Sequence, residues 1–294
     1  MRLNLKGWFL LIAVMIVLIG LVLGAIALFK KAPEEPVEEE PVVVDLGPRS
    51  AVIGQSVEGR PIEAYSYGSG DRNLLFVGGV HGGYEWNSVL LAYRMMDYLG
   101  ANLSSIPEGL VVTIVPNANP DGVYKVIGKE GRFNALDVPS DEALQASGRF
   151  NANDVDINRN FDCKWQPEST WRGNVVSAGT EAFSEPEAEA IRSYVVANNP
   201  KAAIFWHSQS NAVYASECES GILPETTAIM NAYSKASGYP PVDSFDAYSV
   251  TGDAEGWLAS VGIPAITVEL SSHEAIEFEK NLAGVRALLS EYAK

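Results

Sequence analysis

The chain has 294 residues, of which 47% are hydrophobic and 10% aromatic, and its formal net charge is −16. That balance supplies a sizeable core and excludes nucleic acid as a partner: 37 acids against 21 bases repel phosphate, and no basic run interleaved with aromatics compensates. Two cysteines, with no C-x-x-C spacing, exclude a cysteine zinc knuckle and a dithiol redox motif.

Residues 1–7 read as a short tail carrying Arg2 and Lys6. Trp8 to Phe29 is an uncharged run long enough to cross a bilayer core of about 30 Å. It continues through Leu28 and Phe29, beyond a usual signal core, so a retained transmembrane anchor over 8–29 is expected. The alternative is a cleaved signal peptide, because Ala25-Ile26-Ala27 resembles a small-x-small cleavage site. Both readings export the rest of the chain, and the expected location is the cell membrane, single-pass, with the folded domain outside the cytoplasm. Flanking positive charge is nearly balanced and does not itself fix orientation. Residues 30–48 form a stalk, since the Pro and Glu tract from Lys31 to Pro48 cannot bury enough apolar surface to order itself. Residues 49–294 remain, about 250, which suits one α/β domain.

Asn73 to Val80 is an apolar run ending in glycines, a buried strand with His81 at its end. Glu85 to Leu103 has helical spacing, and Leu110 to Val115 is a second strand stopped by Pro116. Asn117 to Gly179 shows little sustained periodicity, and a loop that long inside a domain is usually functional. Within it, Asn119-Pro120-Asp121-Gly122 is most simply a turn. Ser184 is the expected N-cap of a helix towards Ala197. Ala202 to Trp206 is a strand with His207 at its end. Helices over Pro224–Ser237 and Gly252–Val261, a strand over Pro264–Leu270 and a helix over Phe278–Tyr292 close the chain. Alternating strands and helices predict a sheet covered on both faces.

His81, Asn117, His207 and Glu269 all fall where strands end, the edge where sites collect in open α/β sheets. Catalytic zinc takes three protein ligands from His and Asp/Glu and keeps a position for water. His81, Glu85 and His207 are the candidate set, although an H-x-x-x-E pair alone is more often a surface hydrogen bond. Glu269 suits a general base, and the planar fork of Arg149 suits a developing oxyanion better than a lysine. Arg159 could hold a carboxylate bidentately, or be a structural arginine paired with Asp156 or Asp162. His273 lies in a polar loop without an assigned role.

Seven segments occur in a fixed order: IGQSVEGRPI at Ile53–Ile62, GGVHGGYEWN at Gly78–Asn87, NPDG at Asn119–Gly122, DVDINRNF at Asp154–Phe161, FSEPEAEA at Phe183–Ala190, WHS at Trp206–Ser208 and TVEL at Thr267–Leu270. Together they resemble the zinc carboxypeptidase family, the carboxypeptidase A-like metallopeptidases, from about Arg49 onward. The resemblance implies a single domain with a mixed central sheet flanked by helices, and one Zn²⁺ held by His81, Glu85 and His207. It further implies Glu269 as base, Arg149 polarising the scissile carbonyl, Asn158 and Arg159 gripping a terminal carboxylate, and Tyr248 closing over substrate. Two positions depart from the pattern. The usual ligand spacing is H-x-x-E, so Glu85 is displaced by one residue beyond Tyr84 and the loop is expected to bulge. Asp154 replaces the glycine common before VD-x-NR, which puts the local turn in question.

The implied activity is a metallocarboxypeptidase acting on peptide or protein C termini. A rival is an amidase of the same family that cuts γ-D-glutamyl-diaminopimelate bonds in cell-wall peptides, and a rival of another class is an inactive membrane-tethered peptide-binding module. Serine or cysteine catalysis is weaker, since G-x-S-x-G is absent and neither cysteine neighbours a histidine. In an exported domain Cys163 and Cys218 are expected to form a disulfide beside the site, the alternative being two buried thiols. The resemblance also implies that the floor of the C-terminal side-chain pocket follows Tyr248 shortly in sequence, where Asp253 and Glu255 stand; Glu255, seven positions on, is the candidate, favouring Lys, Arg or the amine end of diaminopimelate. Its bland reading is an exposed acid opening a short helix.

Overall fold

The computed structural model describes residues 5–28 and 45–294. The first four residues of the expected tail, Phe29 of the expected anchor and the stalk through residue 44 lie outside the described residues. The chain divides into two units at Val43/Val44. In the first, helix α1 (Leu5–Leu28) contains a 22-residue candidate span with a mean hydropathy of 3.2, long and apolar enough for a membrane span or a signal sequence.

The second unit carries twelve strands: β1 (Arg49–Gln55), β2 (Pro61–Gly68), β3 (Gly70–Val77), β4 (Gly109–Val115), β5 (Glu168–Trp171), β6 (Asn174–Ser177), β7 (Ala202–Ser208), β8 (Ala212–Ala215), β9 (Glu217–Cys218), β10 (Gly221–Ile222), β11 (Pro241–Val242) and β12 (Ala265–Leu270). Its helices are α2 (Trp86–Ala101), α3 (Pro120–Ile127), α4 (Glu142–Ser147), α5 (Pro186–Asn198), α6 (Pro224–Ser237), α7 (Ala254–Ser260) and α8 (Phe278–Tyr292). Eight strands form one mixed sheet in the order β1-β2-β4-β3-β7-β12-β8-β11. Its centre is parallel, with β4, β3, β7 and β12 running the same way, while β1, β2 and β8 join antiparallel.

Alternation along the central strands divides the core. Leu74, Phe76, Ile204 and Trp206 face one side, where α2, α6 and α8 bring Leu91, Met95, Ile229, Tyr233, Val285 and Leu288. Leu75, Val77, Ala203 and Phe205 face the other, against Ile191 and Val195 of α5 and Leu258 of α7. With both faces covered, the central strands are nearly continuous apolar runs, which is why they were legible.

Local expectations change in two places. Asn119-Pro120-Asp121-Gly122 opens helix α3: the Asn119 side chain accepts from Gly122 N–H at 2.8 Å, and Pro120 takes the first turn, where a missing N–H costs nothing. At α5 the cap position is Glu185 rather than Ser184, whose hydroxyl donates to Glu185 Oε1 at 2.9 Å.

Candidate active site

Three adjacent parallel strands, β3, β7 and β12, end on one side of the sheet, and the candidate residues collect there. His207 and Glu269 are register partners on β7 and β12, and His81 follows β3 after Gly78-Gly79-Val80. Register fixes this meeting, because a one-residue slip would turn each side chain to the other face.

The displaced Glu85 is accommodated by a 3-10 turn over Gly82–Glu85, not by a bulge. The turn brings a residue four positions on back over His81. It is tight: Gly82 has φ +47, and a Cβ there would sit 2.5 Å from Gly148 O. Asp154 has φ +57, so the turn keeps a left-handed conformation, which Asp tolerates better than most residues.

His81 Nδ1 lies 2.8 Å from Glu85 Oε1, and His207 Nδ1 lies 3.0 Å from Glu85 Oε2. The two Nδ1 atoms are 3.2 Å apart, and one ligand atom from each of the three residues lies within 4.8 Å of the others. Two imidazole nitrogens crowded around a carboxylate require something positive between them. Without a metal, a proton does this: burial opposes charge on His207, but the Glu85 and Glu255 carboxylates overcome it and raise its pKa well above the usual histidine value. Burial likewise opposes charge on Glu85, and His81 and His207 outweigh it, holding the carboxyl far below its ordinary range. Two nitrogens and a carboxylate with this convergence fit Zn²⁺.

Each ring has a carboxylate behind it. Asp156 Oδ1 is 3.5 Å from His81 Nε2, and Glu255 Oε1 is 3.3 Å from His207 Nε2. Neither contact has hydrogen-bond geometry, so the carboxylates act on the two candidate ligand rings through their charge at close range. Asp156, fully buried, also accepts from Arg149 Nε at 2.8 Å, so Asp156 pairs with Arg149 and not with Arg159. Sequence reasoning weighed Asp156 only as an arginine partner; its place two residues before Asn158 was the available signal.

A pocket of about 580 Å³ lies over this cluster, and all nine residues expected to act on metal or substrate line it, as does Cys163. Arg149 is 3% exposed and sits with its guanidinium 4.8 Å from the Trp171 ring. Arg159 is equally buried and donates to Asn158 O and Thr170 O, yet its Nε has no hydrogen-bond partner and no described acid pairs with it. Asn158 accepts from Ala254 N–H at 2.9 Å and reaches Glu255 at 3.4 Å, which ties it to α7. Glu255 is buried, not exposed, and also accepts from Thr267 Oγ1 at 2.9 Å. Asp253 stands next to it, and burial together with Glu255 pushes its carboxyl up to about 6.

Glu269 is half-buried and accepts from Ser210 N–H at 3.2 Å. Burial, then Glu85, raise its carboxyl to about 7. Tyr248 sits on the rim, its ring 4.8 Å from Phe245. Cys163 and Cys218 are joined in a disulfide that ties the segment after Asn158 and Arg159 to β9. Tyr84, which lies between the candidate ligands His81 and Glu85 in sequence, packs between Trp171 at 5.1 Å and His273 at 4.4 Å. His273 Nδ1 meets Ser208 Oγ at 2.8 Å, and that hydroxyl donates to Asn87 Oδ1, so His273 donates and burial keeps it neutral.

A mixed α/β sheet with a His-Glu-His cluster at its carboxyl edge defines a zinc-peptidase architecture. The zinc carboxypeptidase family model matches residues 48–282, and the chain belongs to that family. Among curated proteins it is 27% identical to γ-D-glutamyl-L-diamino acid endopeptidase 1 of Lysinibacillus sphaericus, over 75% of this chain and 60% of that protein. It is 29% identical to murein peptide amidase A of Vibrio campbellii, over 50% of this chain and 60% of the relative. The chain thus spans about 60% of the length of these relatives. Among solved structures, the murein-tripeptide amidase of Escherichia coli O157 superposes with a TM-score of 0.58 at 22% identity, covering 83% of this chain and 92% of that one. Bovine thrombin-activatable fibrinolysis inhibitor gives 0.65 at 19% identity, covering 83% and 89%. These two likenesses concern the fold.

Proposed function

We propose that this chain is a membrane-anchored zinc metallopeptidase that hydrolyses the amide bond preceding a residue with a free carboxylate. In this reading residues 8–29 are the anchor, 30–48 the stalk and 49–294 the catalytic domain, outside the cytoplasm. The observation that carries the reading is the buried Arg159, its Nε without a partner, in the same pocket as the His81, Glu85 and His207 cluster. A buried guanidinium with no acid in ion-pair range, only the longer-range charges of Asp156 and Asp253, is costly and is relieved by a substrate carboxylate.

His81, Glu85 and His207 would hold the metal. Zinc bound there supplies a Lewis acid that makes water a nucleophile near neutral pH. Glu269 takes the proton of the attacking water, and its raised pKa suits a base that later returns the proton to the leaving amine. Arg149, fixed by Asp156 and Trp171, meets the charge developing on the scissile carbonyl oxygen without reorganising. Arg159 and Asn158 hold the terminal carboxylate, and Tyr248 closes the rim.

Asp253 and Glu255 form the pocket floor, and their mutual repulsion is relieved by an ammonium group. The leaving residue is therefore basic or a diamino acid. Two acyl groups suit that chemistry: an α-linked peptide, as in a carboxypeptidase, and a γ-D-glutamyl group, as in cell-wall peptides. The names of the two curated relatives favour the second. The test is amino-acid release by the zinc-loaded full-length protein in detergent from γ-D-glutamyl-diaminopimelate and α-linked C-terminal lysine peptides, each as free acid and as amide. Release only from free acids, faster from the γ-linked one, is expected. Equal cleavage of the amides would remove Arg159 from its role, and faster release from α-linked peptides would favour the carboxypeptidase.

A further inference from the structure

Arg172 is an exposed arginine in the pocket lining. Its guanidinium stacks 5.8 Å from both the Tyr84 and Trp171 rings, and no described carboxylate or carbonyl is bonded to it. In a chain with 37 acids and 21 bases, an arginine held in place by rings and left without an acid is poised for an external anion.

Its backbone gives a second, independent indication. Trp171 and Asn174 pair across the β5–β6 hairpin, so Arg172 and Gly173 are a two-residue turn, with φ values of +50 and +79. A turn with both central residues left-handed favours Asn-Gly or Gly-Gly. Here arginine occupies the first position against its own backbone preference, a departure from local rules of the kind expected at functional positions. The hairpin base is anchored to the site, since Asp156 N–H donates to Ser177 O at 3.0 Å and Arg159 reaches Thr170 O at 3.4 Å.

The position along the pocket follows from the same hairpin. Thr170 neighbours Arg159, the carboxylate grip; Trp171 lies under Arg149; Arg172 comes next, beside Tyr84. Arg149 marks the scissile carbonyl, so Arg172 lies beyond it, on the acyl side. We infer that Arg172 is a specificity-determining residue that binds a carboxylate carried by the acyl group of the substrate, an inference that rests on the peptidase reading above. Two sources share that chemistry: the α-carboxylate of a γ-linked glutamyl residue and the side chain of an α-linked glutamate.

The test compares parent and Arg172→Asn full-length protein. Asn suits the left-handed turn, so the hairpin keeps its fold, which thermal melting verifies. One pair of substrates carries γ-D-glutamate or its α-amide, D-isoglutamine, on the acyl side; a second pair carries α-linked Glu or Gln. In parent protein the acid member of one pair is expected to have the higher kcat/KM, and the pair identifies the source. In Arg172→Asn that acid-to-amide ratio should fall about tenfold, mostly through KM, as for the loss of one charge-assisted contact. For the pair so identified, the affinity of the metal-free protein for the acid over the amide, L-alanyl-D-glutamate over L-alanyl-D-isoglutamine or the α-linked Glu over Gln dipeptide, should fall in parallel by calorimetry. A ratio and an affinity difference unmoved by the substitution would overturn the inference while leaving the peptidase reading intact. If no substrate is turned over, the peptidase reading fails, and the calorimetric comparison still decides whether Arg172 binds the carboxylate.

Discussion

His81, Glu85 and His207, at the strand ends, are at most 6% exposed, and each is braced by a further carboxylate or arginine. The opposite rim, from Phe245 to Thr251, is half-buried or exposed and rests on ring contacts such as Phe245 with Tyr248 and on one hydroxyl bond between Thr251 and Ser169. The difference concerns how each region responds to loss. In the buried wall every charge depends on another, so removing one leaves its partner uncompensated. On the rim each contact is wet and nearly independent, so effects should be small and appear in KM.

The sharpest break should come at the wall. Glu269→Gln should retain zinc and lose about 10²–10⁴-fold in kcat, the usual worth of a positioned base, as read by steady-state kinetics with metal analysis. Activity within a few-fold of the parent would remove Glu269 from its role. Because the base acts unprotonated, kcat/KM of the parent should fall as pH drops through the Glu269 pKa. Burial, then Glu85, raise the group to about 7 in the metal-free site, and zinc held by Glu85 lowers it again, so the acid limb of the zinc enzyme belongs below about pH 7. A kcat/KM that stays level as pH falls from 7 to 4, with zinc still bound, would contradict the assignment.

Asp156→Ala strands buried Arg149 and removes the charge behind His81. The expected cost is about 3–5 kcal/mol in denaturant unfolding, with zinc affinity weakened about 10–100-fold. Unchanged affinity would show that the wall is less coupled than the distances imply. The disulfide is intermediate. Removing the Cys163–Cys218 link, which closes a separation of 55 residues, should cost about 2–4 kcal/mol of stability with little change in the zinc count. At the rim, Tyr248→Phe should raise KM by less than about tenfold, the worth of one neutral hydrogen bond. A collapse of kcat would place Tyr248 in the chemistry and dissolve the contrast between wall and rim.

The same contrast explains what could be read from sequence. The wall was legible because its strands are buried on both faces and both candidate histidine ligands follow strand ends, so hydrophobic runs pointed directly at His81, His207 and Glu269. Helices α6 and α8 were found to the residue, having Pro224 at one start and sustained apolar spacing. The 3-10 turn that brings Glu85 back to His81 was not legible, since it depends on glycines pressed against Gly148 from another loop. Nor were Trp171 and Arg172, which lie on a short hairpin whose pairing has no periodic signature, or strands β1 and β2 at the sheet edge, whose alternation is weak. Glu255 was singled out through the family resemblance as a pocket-floor candidate, and its contact with His207 required the fold.

The most direct measurement is the zinc content of purified full-length protein and of His207→Ala, by mass spectrometry of metal after exhaustive dialysis. One zinc per chain in the parent, lost from the variant while its melting transition remains cooperative, is the expected result. A variant that keeps stoichiometric zinc, or a parent that binds none, would contradict the assignment of His81, Glu85 and His207 as the metal site.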